Sequence, residues 1–435
     1  ISGQALAPSK PSRARPFGRL VSDEEWARLG KAAARVLGDT RLLWLIAGIV
    51  AVRRLLAEVP VFLPAGADAF GFIESGREAL TNPGEIYVRS AALIAAGHPW
   101  TIEWPPPQIL LAVPFALLPG DLGVYVWAAV NALLGFAGLY CLARAIGIRS
   151  VARPIFVLVI LCFTPLWEDI RLGQRGGPLL LLAGAAMLTI ESNPILAGAL
   201  TSVGTGIKFY PAAMVLGVGD KQRRNFVLTL IVGTVTVLGL SFIPFGSPVK
   251  YLTGILLPVT IASPATMQDC FQNSTPQLFS RLVGGSQWSV IDSSGHWSTV
   301  TFLPWHLTTV AHVLTYLTIA GLVIGAVWAA RRSGFAQPFS MALAFSLGAL
   351  ATDHVFTYQY VALLPLTLVI VLNSVKEHRW LTLGVVALAI WTFLSSPCAL
   401  VFPSLWTVAG LGLFAIGVVE APQFKRAGRP AESSQ

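Results

Sequence analysis

The sequence predicts an all-α fold: a polytopic transmembrane helix bundle of about 12 spans, with amphipathic helices and loops outside the membrane. Hydrophobic residues make up 54% of the 435-residue chain and charged residues only 12%, and the mean hydropathy is +0.69. Roughly 25% of the residues of a soluble globular protein are charged, so this composition excludes that class. Backbone N–H and C=O groups in hydrocarbon must be paired within their own segment, and we therefore expect the apolar runs to be helical.

The basic residues indicate how the chain is oriented in the bilayer. The net charge is +9, but Lys and Arg form short clusters between apolar runs and not one basic face. Such clusters prefer the cytosolic side, where anionic lipid headgroups are their partners. We therefore expect the chain to associate with the lipid bilayer and not with nucleic acid. The clusters are Arg13 with Arg15, 221–224, 331–332, 376–379 and 425–426.

The chain divides into three predicted regions. Residues 1–41 are predicted to form a cytosolic tail with a surface helix. Ser22 is a candidate N-cap of that helix, and acidic and then basic residues follow it. Residues 42–420 form the predicted transmembrane domain, and 421–435 form a second cytosolic tail.

The transmembrane domain contains 13 apolar runs, several of them shorter than the roughly 20 residues that a full crossing requires. Both tails are predicted to be cytosolic, so the number of crossings must be even and one run is not a full span. The suspects are 105–118, which begins with three prolines, and the pair of runs interrupted at Lys208. The runs are 42–63, 105–118, 122–146, 151–167, 178–190, 194–206, 210–218, 226–243, 307–330, 335–351, 360–372, 381–394 and 405–419.

Two long segments, 64–104 and 246–304, are predicted to be loops on the outer face. Long loops on a tightly connected bundle usually carry recognition or chemistry. Cys270 and Cys398 fall on the same predicted face, where an oxidising compartment would allow them to form a disulfide.

Asp68 is the first candidate catalytic residue. It follows the first apolar run, and a carboxylate at the membrane surface can accept the proton of a hydroxyl that attacks a sugar carbon. Glu74, in the same acidic segment, is a candidate sugar or acceptor contact. The alternative is that Asp68 is the N-cap of a short amphipathic helix with Phe70 and Ile73 directed toward lipid.

A second candidate contact is Trp104, which precedes three prolines. Proline favours the first turn of a helix, so the simpler interpretation is that this run fixes where the next helix begins. The functional interpretation is that Trp104 faces a sugar or a lipid phosphate.

Basic residues at two further boundaries are suited to a phosphate. Arg171 and Arg175 flank Gln174 in a glycine-containing turn, and the planar guanidinium can bind two phosphate oxygens. The backbone N–H groups of such a turn can also bind an anion. The alternative is that both arginines extend toward the interface. Lys208 interrupts an apolar run, where a charge indicates function, and Tyr210 follows it as a candidate sugar contact.

The densest polar cluster lies near the start of a late apolar run. His354 could bind phosphate or an acceptor hydroxyl, Asp353 could fix its tautomer, and Tyr358 follows. Asn273 lies in an amide- and hydroxyl-rich segment that suits sugar hydroxyls and equally suits simple solvation. The chain has no P-loop, dinucleotide-binding or nucleophile-elbow motif, so we expect a lipid-borne sugar donor at the outer face.

In their order, these motifs resemble glycosyltransferase family 87, whose members are C-type (GT-C) membrane glycosyltransferases. The resemblance covers about 68–365, and Trp104 stands where a Tyr is commoner in the family. The residues that carry it are Asp68, Trp104–Pro107, Gly173–Gln174, Lys208–Pro211, Asn273–Ser274, the Asp/His/Tyr cluster of 353–360, and Leu363–Pro365.

The resemblance implies inverting transfer of mannose or arabinofuranose from a polyprenyl-phosphate donor to a cell-envelope glycolipid or polysaccharide. It implies that Asp68 is the general base and that Lys208 and His354 contact donor or acceptor. We expect mannose transfer to a glycolipid of the phosphatidylinositol mannoside type, at the outer face of the plasma membrane. We expect no metal or other cofactor, although some C-type relatives use a divalent cation. The alternatives are arabinofuranosyl transfer to arabinan and, from another class, a flippase or transporter of lipid-linked sugars.

Overall fold

The structure is a computed structural model that describes residues 35, 37–62, 67–96, 104–148, 152–258, 273–291, 297–301, 303, 305–352, 357–394 and 404–427. In chain order the α-helices are α1 (Thr40–Phe62), α2 (Ala67–Thr81), α3 (Ile86–Ala95), α4 (Pro106–Ala116), α5 (Leu122–Ile146), α6 (Arg153–Cys162), α7 (Thr164–Leu172), α8 (Gly176–Thr189), α9 (Pro194–Ile207), α10 (Asp220–Phe242), α11 (Pro248–Tyr251), α12 (Thr275–Leu282), α13 (Thr308–Arg332), α14 (Phe339–Leu350), α15 (Leu364–Lys376), α16 (Trp380–Phe393) and α17 (Leu405–Ala427).

The remaining regular structure is short. Three 3₁₀ segments cover Pro83–Glu85, Tyr210–Gly217 and Thr357–Leu363, and a π-type turn, Leu252–Leu256, continues α11. Strands β1 (Trp288–Ile291) and β2 (Trp297–Val300) pair antiparallel. The all-α prediction is therefore confirmed for most of the described chain and is wrong for this hairpin, which lies within the predicted outer segment.

Five helical segments of the described chain are long and apolar enough to cross a membrane: α5, α10, α13, the 3₁₀ segment with α15, and α17. Six shorter apolar helices accompany them, namely α4, α6, α8, α9, α14 and α16. These segments support a membrane protein, and the predicted total of about 12 spans stays a prediction. Helix α1 is also long, but Arg53 and Arg54 interrupt its apolar run. Arg54 donates hydrogen bonds to the carbonyl of Leu161 (3.0 Å) and the hydroxyl of Thr164 (2.9 Å).

Burial distinguishes central helices from those that expose apolar surface. Every residue of α14 is buried, and so are nearly all residues of the 3₁₀ segment and α15 that follow it. Helices α10 and α13 instead expose large apolar side chains such as Ile231 and Leu317, as expected for helices that contact lipid.

Close helix crossings bring the functional region together. Helices α5 and α8 pack along their lengths, and a Cβ on Gly138 would overlap the Leu180 backbone. Small residues at such crossings let two backbones approach. Helix α2 packs on α4 and also contacts α5 and α7. These contacts place the predicted acidic segment, which contains α2, beside all three helices.

Two sequence-based expectations need correction in detail. The predicted run 151–167 is divided at Phe163, because α6 ends at Cys162 and α7 begins at Thr164 before a proline. The alternative interpretation of the Asp68 segment directed Ile73 toward lipid, but Ile73 is only 1% exposed and packs in a cluster with Ala112 and Trp127.

Candidate active site

The carboxylate of Asp68 is held by a residue from a distant part of the chain. Asp68 lies in the first turn of α2, one residue inside the helix, and its Oδ2 accepts a hydrogen bond of 2.5 Å from Nε2 of Gln174. The backbone after α7 is packed against the same turn, since a Cβ on Gly173 would lie only 2.5 Å from that of Ala69. The position of Asp68 is therefore set by tertiary contacts of α2 with the end of α7.

A left-handed residue ends α7 and starts the turn that carries Gln174. Gly173 has φ +65°, and the N–H of Gln174 donates back to the carbonyl of Asp169 at 2.9 Å, as in a Schellman-type helix end. The indole N–H of Trp127 donates to the Gly173 carbonyl at 2.6 Å. Helix α5 therefore holds this turn together with α2, since Trp127 also packs against Phe72 of α2.

Asp169 and Asn131 fix the other side of the turn. The Asp169 carboxylate accepts the N–H of Gly176 at 2.9 Å and an N–H of the Asn131 amide at 3.2 Å. The side-chain amide oxygen of Asn131 accepts the backbone N–H of Gly177 at 2.9 Å. The sequence-based idea that this turn offers its backbone N–H groups to an external anion is thus wrong at Gly176 and Gly177, because buried side chains already occupy both.

Asp169 is a buried charge among cations. It is 1% exposed, and burial raises the pKa of its carboxyl to about 6. The hydrogen bonds from Asn131 and Gly176 and the positive charges of Lys208 and Arg175 act in the opposite direction. The neighbouring cations and hydrogen-bond donors therefore favour the ionised form of this carboxyl, against the effect of burial.

Arg175 is the cation that projects from the turn. The residue is 2% exposed, and its guanidinium lies 4.6 Å from the centre of the Trp104 ring and 5.1 Å from that of Phe72. Burial lowers the pKa of this guanidinium, and the charges of Asp68 and Asp169 partly offset that effect. Cation–π contacts with desolvated rings contribute about 2 kcal/mol and hold the charge in place.

Lys208 enters the same region from the break after α9. The backbone of Lys208 is extended, which ends α9 and directs the next residues into the 3₁₀ segment. Its Nζ lies 5.2 Å from the centre of the Tyr358 ring, and its charge acts on Asp169. The predicted break at Lys208 is confirmed as a break in the helix.

Seven of the predicted site residues therefore meet in one cluster, which we call the Asp68 cluster: Asp68, Trp104, Gln174, Arg175, Lys208, Tyr210 and Tyr358. The negative charge of Asp169 also acts on the phenol of Tyr210. Within the described chain, Gln174 Oε1 and Tyr210 Oη are buried and accept or donate no hydrogen bond. Such atoms can bind the hydroxyls of a ligand.

Three predicted residues lie elsewhere. Arg171 pairs with Glu168 at 2.5 Å on the partly exposed side of α7. Glu74 pairs with Arg77 at 2.5 Å, and its side chain is 63% exposed. Asn273 is buried directly before α12, and its backbone carbonyl accepts the hydroxyl of Tyr360.

Other predictions fall outside the described residues. Asp353 and His354 are among these, as are the two cysteines Cys270 and Cys398 and the tail helix predicted after Ser22 up to residue 34. Across the part of the chain that the structure describes, no group of three or more His, Cys, Asp or Glu side chains could hold a metal ion. The expectation of a metal-free reaction stays a prediction.

Asp169 and Asn131 belong to the site, but the sequence patterns did not single them out. Asp169 follows Glu168 and precedes Arg171, so it resembles part of an exposed ion-pair segment. A helical spacing that puts Asp169 on one face with Leu166 and Ile170, both buried, was the signal for an inward carboxylate. Asn131 was detectable as a polar residue inside a long apolar run.

Comparison with known proteins identifies the family of the chain, over residues that begin after Asp68. Residues 100–355 match the sequence profile of the family described as Glycosyltransferase family 87. No curated protein and no solved structure matches the chain. The matched region covers more than half of the 435 residues and includes Trp104, Gln174, Arg175 and Lys208. The chain therefore belongs to glycosyltransferase family 87 and is a membrane glycosyltransferase.

Proposed function

We propose that this enzyme transfers a sugar, mannose, from a polyprenyl-phosphate donor to a hydroxyl of a cell-envelope glycolipid of the phosphatidylinositol mannoside type. The reaction proceeds with inversion at the outer face of the plasma membrane. The observation that carries the proposal is the contact of Asp68 with Gln174 beside two cations, the buried Arg175 and the half-buried Lys208. A base and a phosphate-binding pair are what a single displacement on a sugar phosphate requires.

Asp68 acts as the general base. Its Oδ2 is held by Gln174, which leaves Oδ1 to accept the proton of the acceptor hydroxyl. The oxygen attacks the anomeric carbon as the bond from that carbon to the phosphate oxygen breaks, and the electron pair leaves with polyprenyl phosphate. A positioned base of this kind contributes about 10²- to 10⁴-fold to the rate.

Arg175 and Lys208 stabilise the phosphate as its negative charge increases. Both cations lie near Asp169. The negative charge of Asp169 offsets part of their positive charge before the donor binds. Their preorganised charge is effective because much of the cluster, including Gln174 and Arg175, is buried. His354, outside the described residues, stays a proposed phosphate or acceptor contact with Asp353 as its partner.

Arg171 is not needed for this mechanism, since its guanidinium pairs with Glu168 and Arg175 lies in the cluster. Trp104, Tyr210 and Tyr358 form the walls around the sugar. Glu74 and Asn273, which lie elsewhere, stay candidate contacts of a larger acceptor.

The proposal is tested with purified enzyme in nanodiscs. The enzyme is incubated with a phosphatidylinositol mannoside and either decaprenyl-phosphomannose or decaprenyl-phosphoarabinose, and lipids are analysed by mass spectrometry. We expect a product heavier by one hexose with the first donor only. A pentose-bearing product would contradict the mannose assignment, and the absence of a product with either donor would contradict sugar transfer and favour the flippase.

A further inference from the structure

A groove of about 330 Å³ lies outside the Asp68 cluster. One wall is formed by α3 and the turn before it, and the other by the turn that follows α10, by α11 and by the π-type turn. Both walls belong to the two segments predicted to lie on the outer face. The lining residues are Gly84, Tyr87, Val88, Ala91, Phe245, Gly246, Ser247, Lys250, Thr253 and Gly254.

The floor of the groove is aromatic and is connected to the cluster. The rings of Tyr87 and Phe245 are buried, with centroids 5.7 Å apart. Burial raises the pKa of the Tyr87 phenol, which therefore stays protonated and donates to the Trp104 carbonyl at 2.9 Å. The Trp104 ring in turn lies 4.6 Å from the guanidinium of Arg175. Two residues, Tyr87 and Trp104, therefore connect a ligand on this floor to Arg175 in the proposed phosphate site.

The helical segment on the second wall has faces of different chemistry. Lys250, Thr253 and Gly254 share the face that lines the groove, because residues three and four apart project in the same direction. Tyr251 and Ile255 are buried against the bundle. This division is typical of a helix at the membrane interface, with a polar face and an apolar face.

The third face of the segment exposes apolar side chains. Val249 is 64% exposed and Leu252 is 44% exposed, and Ile243, at the end of α10 nearby in the chain, is 76% exposed. Exposed apolar side chains beside a polar groove are suited to the acyl chains of a lipid whose headgroup occupies that groove.

We propose that this groove binds the anionic, sugar-bearing headgroup of the acceptor lipid, an inference that rests on the proposed function. The sugar lies against the floor formed by Tyr87 and Phe245, and Lys250 binds the lipid phosphate. The Ser247 and Thr253 hydroxyls accept hydrogen bonds from the sugar. The volume lies at the lower end of the about 300–1,000 Å³ typical of small-ligand sites, enough for a compact headgroup.

The donor is not the occupant of this groove, because its phosphate is matched by the cluster that holds Arg175 and Lys208. The groove instead contributes Lys250 as a basic side chain at its rim, which favours a headgroup that carries a negative charge. Separate sites for the two lipids let each bind without displacing the other.

The test uses Lys250→Glu and Val88→Trp. The first reverses the charge at the rim, and the second fills the groove from a position that is 49% exposed. The matched control is Lys221→Glu, the same charge change in the first turn of α10 and hence at the opposite end of that helix from the groove. We expect both groove variants to raise the acceptor KM about tenfold, with the donor KM changed less than twofold and the control unchanged.

A second acceptor checks the chemistry. With a mannosyl diacylglycerol, which has no phosphate, Lys250→Glu should have no effect on KM, whereas Val88→Trp should still raise it. An unchanged acceptor KM in both groove variants of an enzyme that transfers sugar would overturn the inference, and so would an increase confined to the donor KM.

Binding without turnover separates this inference from the proposed function. Radiolabelled phosphatidylinositol mannoside is titrated against Asp68→Asn protein, with and without Lys250→Glu. Weaker binding in the double variant supports the groove even if no transfer is ever observed. Equal binding overturns it, whatever the activity of the enzyme.

Discussion

At the scale of single residues, Asp169 is the centre of the polar arrangement. Its carboxylate joins α8, through Gly176, to α5, through Asn131, and faces the charges of Arg175 and Lys208. Removal of one partner from a buried charge network leaves the other charges uncompensated. Asp169 therefore positions the cations and the turn, whereas Asp68 performs the proposed proton transfer.

The change Asp169→Asn should destabilise the protein by about 3–5 kcal/mol, because it removes a charge that neutralises the buried guanidinium of Arg175. The measurement is the melting temperature in detergent. The matched control is Glu168→Gln, which removes a neighbouring carboxylate that pairs with Arg171 and is 25% exposed; we expect a loss below about 1 kcal/mol. Equal shifts in melting temperature for the two variants would contradict this role of Asp169.

The contact between Gln174 and Asp68 predicts a change in pH dependence. Gln174→Glu places a second carboxyl beside Asp68, and a like charge raises the pKa of a carboxyl. The acidic limb of the kcat/KM profile should therefore move to higher pH than in Gln174→Ala, which removes the hydrogen bond alone. Both variants should lower kcat by about 10- to 100-fold. Wild-type rates and identical profiles in both variants would exclude Gln174 as the residue that orients Asp68.

At the scale of elements, the site depends on the turn between α7 and α8. Gly173 is left-handed and touches α2, and Gly177 lies so close to Asn131 that a Cβ there would overlap its carbonyl. The turn is thus enclosed by α2, α5 and its own helix end. Its glycines serve backbone packing that presents Gln174 and Arg175, not the binding of phosphate by free N–H groups.

Gly173→Ala tests this packing. The added methyl has two costs, the left-handed backbone at about 1–2 kcal/mol and the overlap with Ala69. Gly147→Ala is the matched control, because Gly147 also ends a helix with φ +70° and has no atom within 4 Å of the added Cβ. We expect a larger drop in melting temperature for Gly173→Ala, together with a loss of transfer activity. If both variants lost the same stability, the close contact between α2 and the turn would be wrong.

At the scale of the whole molecule, the bundle combines a few long apolar helices with many short ones around buried central segments. Helix α10 has 23 residues and is about 34 Å long, enough to cross roughly 30 Å of hydrocarbon. Lys221 stands at its first turn and the groove at its last, so the two ends are expected on opposite sides of the membrane.

Cysteine labelling tests this orientation. In a chain whose four cysteines are replaced by serine, single substitutions Lys250→Cys and Lys221→Cys are treated with a membrane-impermeant maleimide on intact cells. Both positions are exposed to solvent or lipid headgroups. We expect Lys250→Cys to react directly and Lys221→Cys only after permeabilisation. Labelling of both from the same side would show that α10 does not span the membrane as proposed.

The sequence predicts the fold class and most of the cluster. Charged residues within an apolar chain are energetically unfavourable, so their presence indicates a functional site. Asp68 and Lys208 were identifiable in this way, and the helix break at Lys208 was identified correctly. The arginine that joins the cluster could not be chosen from the sequence, because it depends on where α7 ends: Arg171 lies inside α7, and Arg175 lies in the turn after Gly173. Short helices and the β-hairpin also depend on tertiary packing, which local pattern does not encode.

The most direct test of the account is the transfer rate of Asp68→Asn with decaprenyl-phosphomannose and a phosphatidylinositol mannoside. Asp121→Asn, which changes an exposed carboxyl at the start of α5, serves as the control. The account predicts that Asp68→Asn lowers kcat by at least about 100-fold while the melting temperature and the donor affinity stay near the wild-type values. Turnover by Asp68→Asn at the wild-type rate would contradict the assignment of Asp68 as the base.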